Sequence, residues 1–284
     1  MPAEAPLLYH ELLGDGHQRV FAVERVLARH RTATGQRVDL VELVGYGASL
    51  FIDGVRQSSA ADEHVYHEML VQPALFAART PVREVLIAGG GEGATAREVL
   101  RHRSVERVVQ VDLDPELIGL CREHLPSFSA GAYDDSRFEL VVDDIGGWLQ
   151  RNDRRFDAIV LDIPEDDGSD GLQALYGAAF HALVRAHLAP GGTVSSQLGP
   201  VHPVRAALLG RFAERWSAAH RCVDWLVAPE LGWVFAVAGD GPLAPPEAAR
   251  FDAALHAPCR YYSPELHRRL AYAPPHLSVA RRAG

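Results

Sequence analysis

Between residues 19 and 54 apolar and polar positions alternate, and the apolar set is rich in Val, Leu and Phe. Thr34-Gly35 and Gly45-Tyr46-Gly47 interrupt the alternation, as glycine does where a chain turns. Segments 38–44 and 48–53 flank the second break as a hairpin. Residues 1–60 are therefore predicted to form a small antiparallel β domain. The period then changes. Val65, Met69, Leu70 and Phe76 fall at helical spacing within 62–78.

Beyond Pro81 short apolar runs at 84–88, 107–112, 138–142, 158–162 and 193–197 end near glycine or acidic residues. Helical stretches at 95–102, 115–124 and 173–187 lie between several of them. Strand–helix alternation of this kind predicts parallel strands with crossover helices, so the expected class is α/β, a doubly wound sheet across residues 61–284. Segments 223–227 and 233–238 predict a final antiparallel pair.

Composition narrows the partners. The 284 residues carry a formal charge of −9, which argues against nucleic acid or an anionic membrane and suits a cationic ligand. Cys121, Cys222 and Cys259 are scattered without ligand spacing, and the fourteen histidines show no HExxH-type pattern, so no metal is expected. The chain opens without a leader-like basic and apolar pattern and contains no run of membrane-spanning length; a cytoplasmic location is the expectation.

The sharpest local signal is the run from Val85 through Gly89-Gly90-Gly91-Glu92-Gly93 to Thr95, a strand entering glycines and then a helix. Glycine lets the backbone turn tightly and approach a ligand closely. Asp112 closes the next strand about twenty residues on, where a carboxylate accepts ribose hydroxyls. Gly89, Gly91 and Asp112 are thus candidate nucleoside contacts. Gly89-x-Gly91-x-x-Ala94 also fits a dinucleotide fingerprint, which keeps an NAD enzyme open. Glu92, inside the loop, would repel a pyrophosphate and attract a cationic sulfonium. Asp144, ending the third strand, suits either an adenine amino group or the cap of the next helix.

The fourth strand ends in Asp162 and runs into Glu165, Asp166, Asp167 and Asp170. The last three read as a solvated loop. Asp162 terminates an apolar strand and is expected to face the cleft, with Glu165 near enough to share a cationic ligand. An amine is protonated at neutral pH and cannot attack until it loses a proton. A carboxylate in a desolvated cleft can hold the ammonium and accept that proton.

Five motifs together resemble spermidine synthases over most of the chain: Ile52-Asp-Gly-Val-Arg-Gln57, Asp62-Glu-His-Val-Tyr66-His67-Glu68-Met, Gly89-Gly-Gly-Glu-Gly, Gly131-Ala-Tyr-Asp-Asp-Ser-Arg-Phe138 and Cys259-Arg-Tyr-Tyr-Ser-Pro264. The resemblance implies a β domain followed by a methyltransferase-type Rossmann-like domain, assembled as a homodimer or homotetramer. It implies decarboxylated S-adenosylmethionine as co-substrate, no tightly bound cofactor, a small-molecule amine as acceptor and 5'-methylthioadenosine as product. By resemblance Gln36, Gly89, Gly91, Glu92, Asp112, Asp144 and Ile145 contact the donor. Gln57, Tyr66, His67, Glu92, Asp162, Glu165 and Gln197 serve the acceptor side, with Asp162 the proton acceptor. The chain departs from the family at Glu92, which replaces Asp, at Ile145, which replaces Gly, and at Glu165. After Pro229, Glu230 and Leu231 stand in place of an aromatic residue. An S-adenosylmethionine-dependent methyl or alkyl transferase and a non-catalytic amine-binding homologue are the alternatives on this fold.

Overall fold

The computed structural model describes residues 7–13, 16–164, 174–201, 206–241 and 243–270. Five strands, β1 (Leu7–Leu12), β2 (Gln18–Arg31), β3 (Arg37–Leu43), β4 (Gly47–Ile52) and β5 (Val55–Ser59), form an antiparallel meander in that order. The helix α1 (Glu63–Ala77) leads into the larger unit.

Seven further strands form one mixed sheet: β6 (Glu84–Gly89), β7 (Arg107–Asp112), β8 (Phe138–Val142), β9 (Phe156–Asp162), β10 (Leu188–Pro200), β11 (Cys222–Ala228) and β12 (Trp233–Gly239). Their order is β11-β12-β10-β9-β6-β7-β8. Neighbours from β10 to β8 run parallel, while β12 pairs antiparallel with both β10 and β11. This is the expected doubly wound α/β sheet with its closing antiparallel pair.

Both faces of the sheet are covered, so the central strands β6 and β9 carry continuous apolar runs, over 85–88 and 158–161, rather than alternating. From β6, Val85 and Ile87 join α1 in one core, while Leu86 and Ala88 enter a second core on the opposite face with Trp216 and Trp225. A third apolar cluster joins Val38, Leu40 and Leu50 of the meander to Leu117, Leu125 and Phe128 of the larger unit.

Two boundaries differ from those the sequence predicts. The helix expected over 173–187 is broken: Ala174 and Leu175 are helical, Tyr176 and Gly177 are not, and a helix resumes over Ala178–Ala186 after Gly177 adopts an extended backbone (φ −81°, ψ 159°). The strand expected at 193–197 extends over Leu188–Pro200, with a register shift against β9 between Leu188 and Thr193. Apolar runs mark where a strand is buried, not how far its hydrogen bonds continue.

Candidate active site

Sheet order reverses at β6: β7 lies on one side and β9 on the other. Ligands of doubly wound folds bind in the crevice that such a reversal opens at the strand ends. In this protein Gly89 and Asp162 are register partners at that point. Gly89 has φ +77°, and a Cβ on it would lie 2.1 Å from the Asp162 carbonyl oxygen. Only glycine fits there. Gly91 packs against the neighbouring carboxylate, since a Cβ would stand 3.0 Å from Asp112 Oδ2. The loop is therefore threaded between Asp112 and Asp162. Gln110 Nε2 donates to the Gly90 carbonyl (3.0 Å) and Tyr133 OH to that of Gly91 (2.6 Å), pinning it from below and outside.

Asp112 is nearly buried. Its Oδ1 accepts the Asp114 N–H (2.9 Å), leaving Oδ2 at the loop. Burial, with the charges of Asp114 and Asp162, outweighs that hydrogen bond and pushes its pKa up to about 6. Helix α3 (Pro115–His124) follows, and the β2–β3 turn is fastened to its start. Thr34 donates to Asp114 (2.5 Å), the Ala33 N–H to Glu116 (3.2 Å), and His30 meets Glu116 (2.5 Å). Gln36, in the same turn, is partly buried and its carbonyl accepts the Thr32 N–H at 2.9 Å.

Asp162 is held from two directions. Thr95, in the first turn of α2 (Ala94–Leu100), donates to Oδ2 at 2.5 Å, and Tyr66 OH of α1 donates to Oδ1 at 3.1 Å. Burial raises the Asp162 pKa. The His67 charge and the two hydrogen bonds oppose the rise, Glu92 adds to it, and the net shift is upward.

Glu92, 8% exposed, has one oxygen 2.7 Å from His67 Nε2 and accepts Ser58 Oγ at 2.5 Å on the other. The His67 Nδ1 lies 2.6 Å from the Glu63 backbone carbonyl, which can only accept, so Nδ1 carries a proton. With Nε2 against a carboxylate, the ring is an imidazolium. Burial alone would lower its pKa, but Glu92 and Glu63 raise it well above the ordinary value. Arg97 in turn grips both Glu63 oxygens, at 3.1 and 2.8 Å.

Three of the expected contact residues are engaged by protein in this structure. His67 is 1% exposed with both nitrogens held by protein, and it orients Glu92. Gln197 is 3% exposed; it donates to the Ile163 carbonyl (3.2 Å) and accepts from Trp233 Nε1 (3.1 Å), which fixes the chain leaving Asp162. The Ile145 side chain lies in the core beside Leu86 and Trp148, leaving only its main chain for a ligand. Asp144 is exposed and caps helix α4 (Ile145–Gln150) through Gly147 N–H (2.6 Å), with one oxygen uncommitted to that bond. Gln57 is exposed and bonds the Val55 carbonyl of its own strand (3.1 Å). Glu165, with Asp166, Asp167 and Asp170, lies outside the described residues.

Thr95, Ser58, Glu63 and Arg97 emerge only in the structure. Thr95 had a local signal, a hydroxyl in the first turn after the glycine loop. The other three act through partners remote in sequence. Among the described residues Glu68, Glu98 and Cys259 approach one another within 4.8 Å. The Glu68 carboxylate is taken by three backbone N–H groups and Glu98 by Arg97, Arg101 and Gln72, so the donors do not fit a metal.

The same chain matches the spermine/spermidine synthase domain over residues 63–206. It is 46% identical over 180 residues to polyamine aminopropyltransferase 2 of Pseudomonas aeruginosa, an alignment covering 63% of this chain and 51% of that one. Identity to polyamine aminopropyltransferase 2 of Hyperthermus butylicus is 36%, over 90% of this chain and 86% of the other. A spermidine synthase solved with the transition-state analogue AdoDATO superposes with a TM-score of 0.86 at 25% identity, covering 95% of this chain and 94% of that one. The spermidine synthase of Thermotoga maritima gives 0.83 at 25% identity, with 95% and 93% coverage. With the synthase domain spanning half its length and 36% identity carried across nine tenths of it, the chain belongs to the spermine/spermidine synthase family.

Proposed function

We propose that this protein transfers the aminopropyl group of decarboxylated S-adenosylmethionine to a di- or polyamine, releasing 5'-methylthioadenosine, with Asp162 as the proton acceptor. The register pairing of Gly89 with Asp162 carries this reading, because it sets a base directly beside the nucleoside loop. Gln36, Gly89, Gly91, Asp112 and Asp144 line the donor side, and Glu92 holds the donor's aminopropyl ammonium. The acceptor enters along Tyr66 and Asp162.

The acceptor nitrogen arrives as an ammonium. Its proton passes to the Asp162 carboxylate, and the freed lone pair forms a C–N bond at the methylene beside the sulfur. The C–S bond breaks as it forms, and the sulfonium leaves as a neutral thioether. No oxyanion develops, so alignment and a base are what the protein must supply. Asp162's raised pKa suits it to accept a proton, and Thr95 and Tyr66 fix its direction.

A cytoplasmic homodimer or homotetramer accompanies this reading. No helix among the described residues is long and apolar enough to cross a membrane. Leu8 (47% exposed), Leu12 (71%) and Val20 (47%) share one face of β1 and β2, an apolar patch suited to a second copy.

The test is Asp162→Asn, assayed for methylthioadenosine release with the decarboxylated donor and a panel of amines. Turnover is expected to fall by roughly 10²–10⁴ with donor binding nearly intact. Wild-type turnover in that variant would eliminate the mechanism.

A further inference from the structure

Glu63, at the far end of the ion-pair chain from Glu92, also lines a separate cavity of about 220 Å³ shared with Arg97, Arg101, Ser127, Phe128 and Arg260. Three guanidiniums meet there with more N–H groups than acceptors. Arg97 commits four of its five N–H groups, to Glu98, Glu63 and the Phe128 carbonyl. Arg101 commits two, to the Pro258 carbonyl and Glu98. The exposed Arg260 guanidinium makes no hydrogen bond or ion pair among the described residues; only its main-chain N–H is held, by Glu68 at 2.7 Å. Its charge is felt nearby: together with burial, it holds the His64 ring below its ordinary pKa.

The acids around the cavity do not balance this excess of donors. Glu63 is bound by Arg97 and His67, Glu98 by Arg97, Arg101 and Gln72, and Glu68 by three backbone N–H groups. Each carboxylate already accepts three hydrogen bonds. We propose that the cavity binds a small tetrahedral oxyanion, inorganic phosphate or the phosphate of a small monoester, between the Arg260 guanidinium and the spare N–H groups of Arg97 and Arg101. The site is distinct from the transfer reaction, whose donor and acceptor are both cations.

Calorimetric titration of the full chain at constant ionic strength in chloride tests it, with inorganic phosphate and glycerol phosphate as probes. One anion per chain is expected, and the probe that binds more tightly identifies the source. Arg260→Ala and the uncharged, still polar Arg260→Gln should weaken binding at least tenfold without lowering the melting temperature. Arg211→Ala, an exposed arginine that does not line the cavity, should leave it unchanged. Absence of saturable binding, or equal losses in the Arg260 and Arg211 variants, overturns the proposal.

Discussion

In the proposed reaction Asp162 takes a proton from an alkylammonium, so its basicity matters as much as its charge. Burial makes it a stronger base, while the Thr95 and Tyr66 hydroxyls stabilise the carboxylate and weaken it. Removing Thr95's donor by Thr95→Val should therefore raise the Asp162 pKa further. The reactive carboxylate form would then be lost at a higher pH, and the acid limb of the kcat/KM profile should move upward by on the order of one unit. An unmoved limb would mean that the observed titration belongs to another group. Tyr66→Phe, which removes the longer bond, should shift the limb in the same direction by less. Glu92 is held differently: His67 engages one of its oxygens and Ser58 the other, so the carboxylate is fixed in place before any ligand arrives.

At the scale of elements, α1 organises the site because successive positions of a helix face different neighbours. Glu63 and His67, four apart, reach Arg97 and Glu92, whereas Tyr66 turns to Asp162. Glu68 points elsewhere again, and its buried carboxylate accepts the main-chain N–H groups of Arg260, Tyr261 and Tyr262 at 2.7–2.8 Å. This ties the C-terminal Cys-Arg-Tyr-Tyr segment to the helix. Glu68→Ala would strand those donors at a cost of about 3 kcal/mol or more. Thermal unfolding should show a loss of roughly 6–12 °C in Tm, and Glu68→Gln, which keeps one acceptor oxygen, should recover part of it. A variant melting with the wild type would show that the segment is held by its aromatic packing alone.

Across the whole molecule, the meander and the Rossmann-like sheet share an apolar seam. Val38, Leu40 and Leu50 from one side meet Leu117, Leu125 and Phe128 from the other, and the Thr34–Asp114 bond lies on the same contact. On the proposed donor contacts, donor binding should depend on that seam, since Gln36 belongs to the meander and Asp112 to the large sheet. Phe128 is 1% exposed, and Phe128→Ala should cost about 3–5 kcal/mol. Calorimetry should show the melt lowered or split in two, and a titration should show weaker donor binding. Unchanged donor affinity would show that the alignment of Gln36 with Asp112 does not rest on this packing.

The glycine loop, Asp112 and Asp162 were all legible along the chain, because strand ends and positive-φ turns depend on local period and on which residues tolerate the backbone. The antiparallel meander and the parallel sheet followed from the same periodicities. Other features depended on which elements lie side by side. These include the pairing of Gly89 with Asp162, the imidazolium set against Glu92, the burial of Gln197 under Trp233 and the arginine cavity behind Glu63. A side chain's period records that it is buried or turned outward, but its partner is chosen by strand order and helix packing. Those are properties of the assembled sheet, and no local stretch of residues contains them.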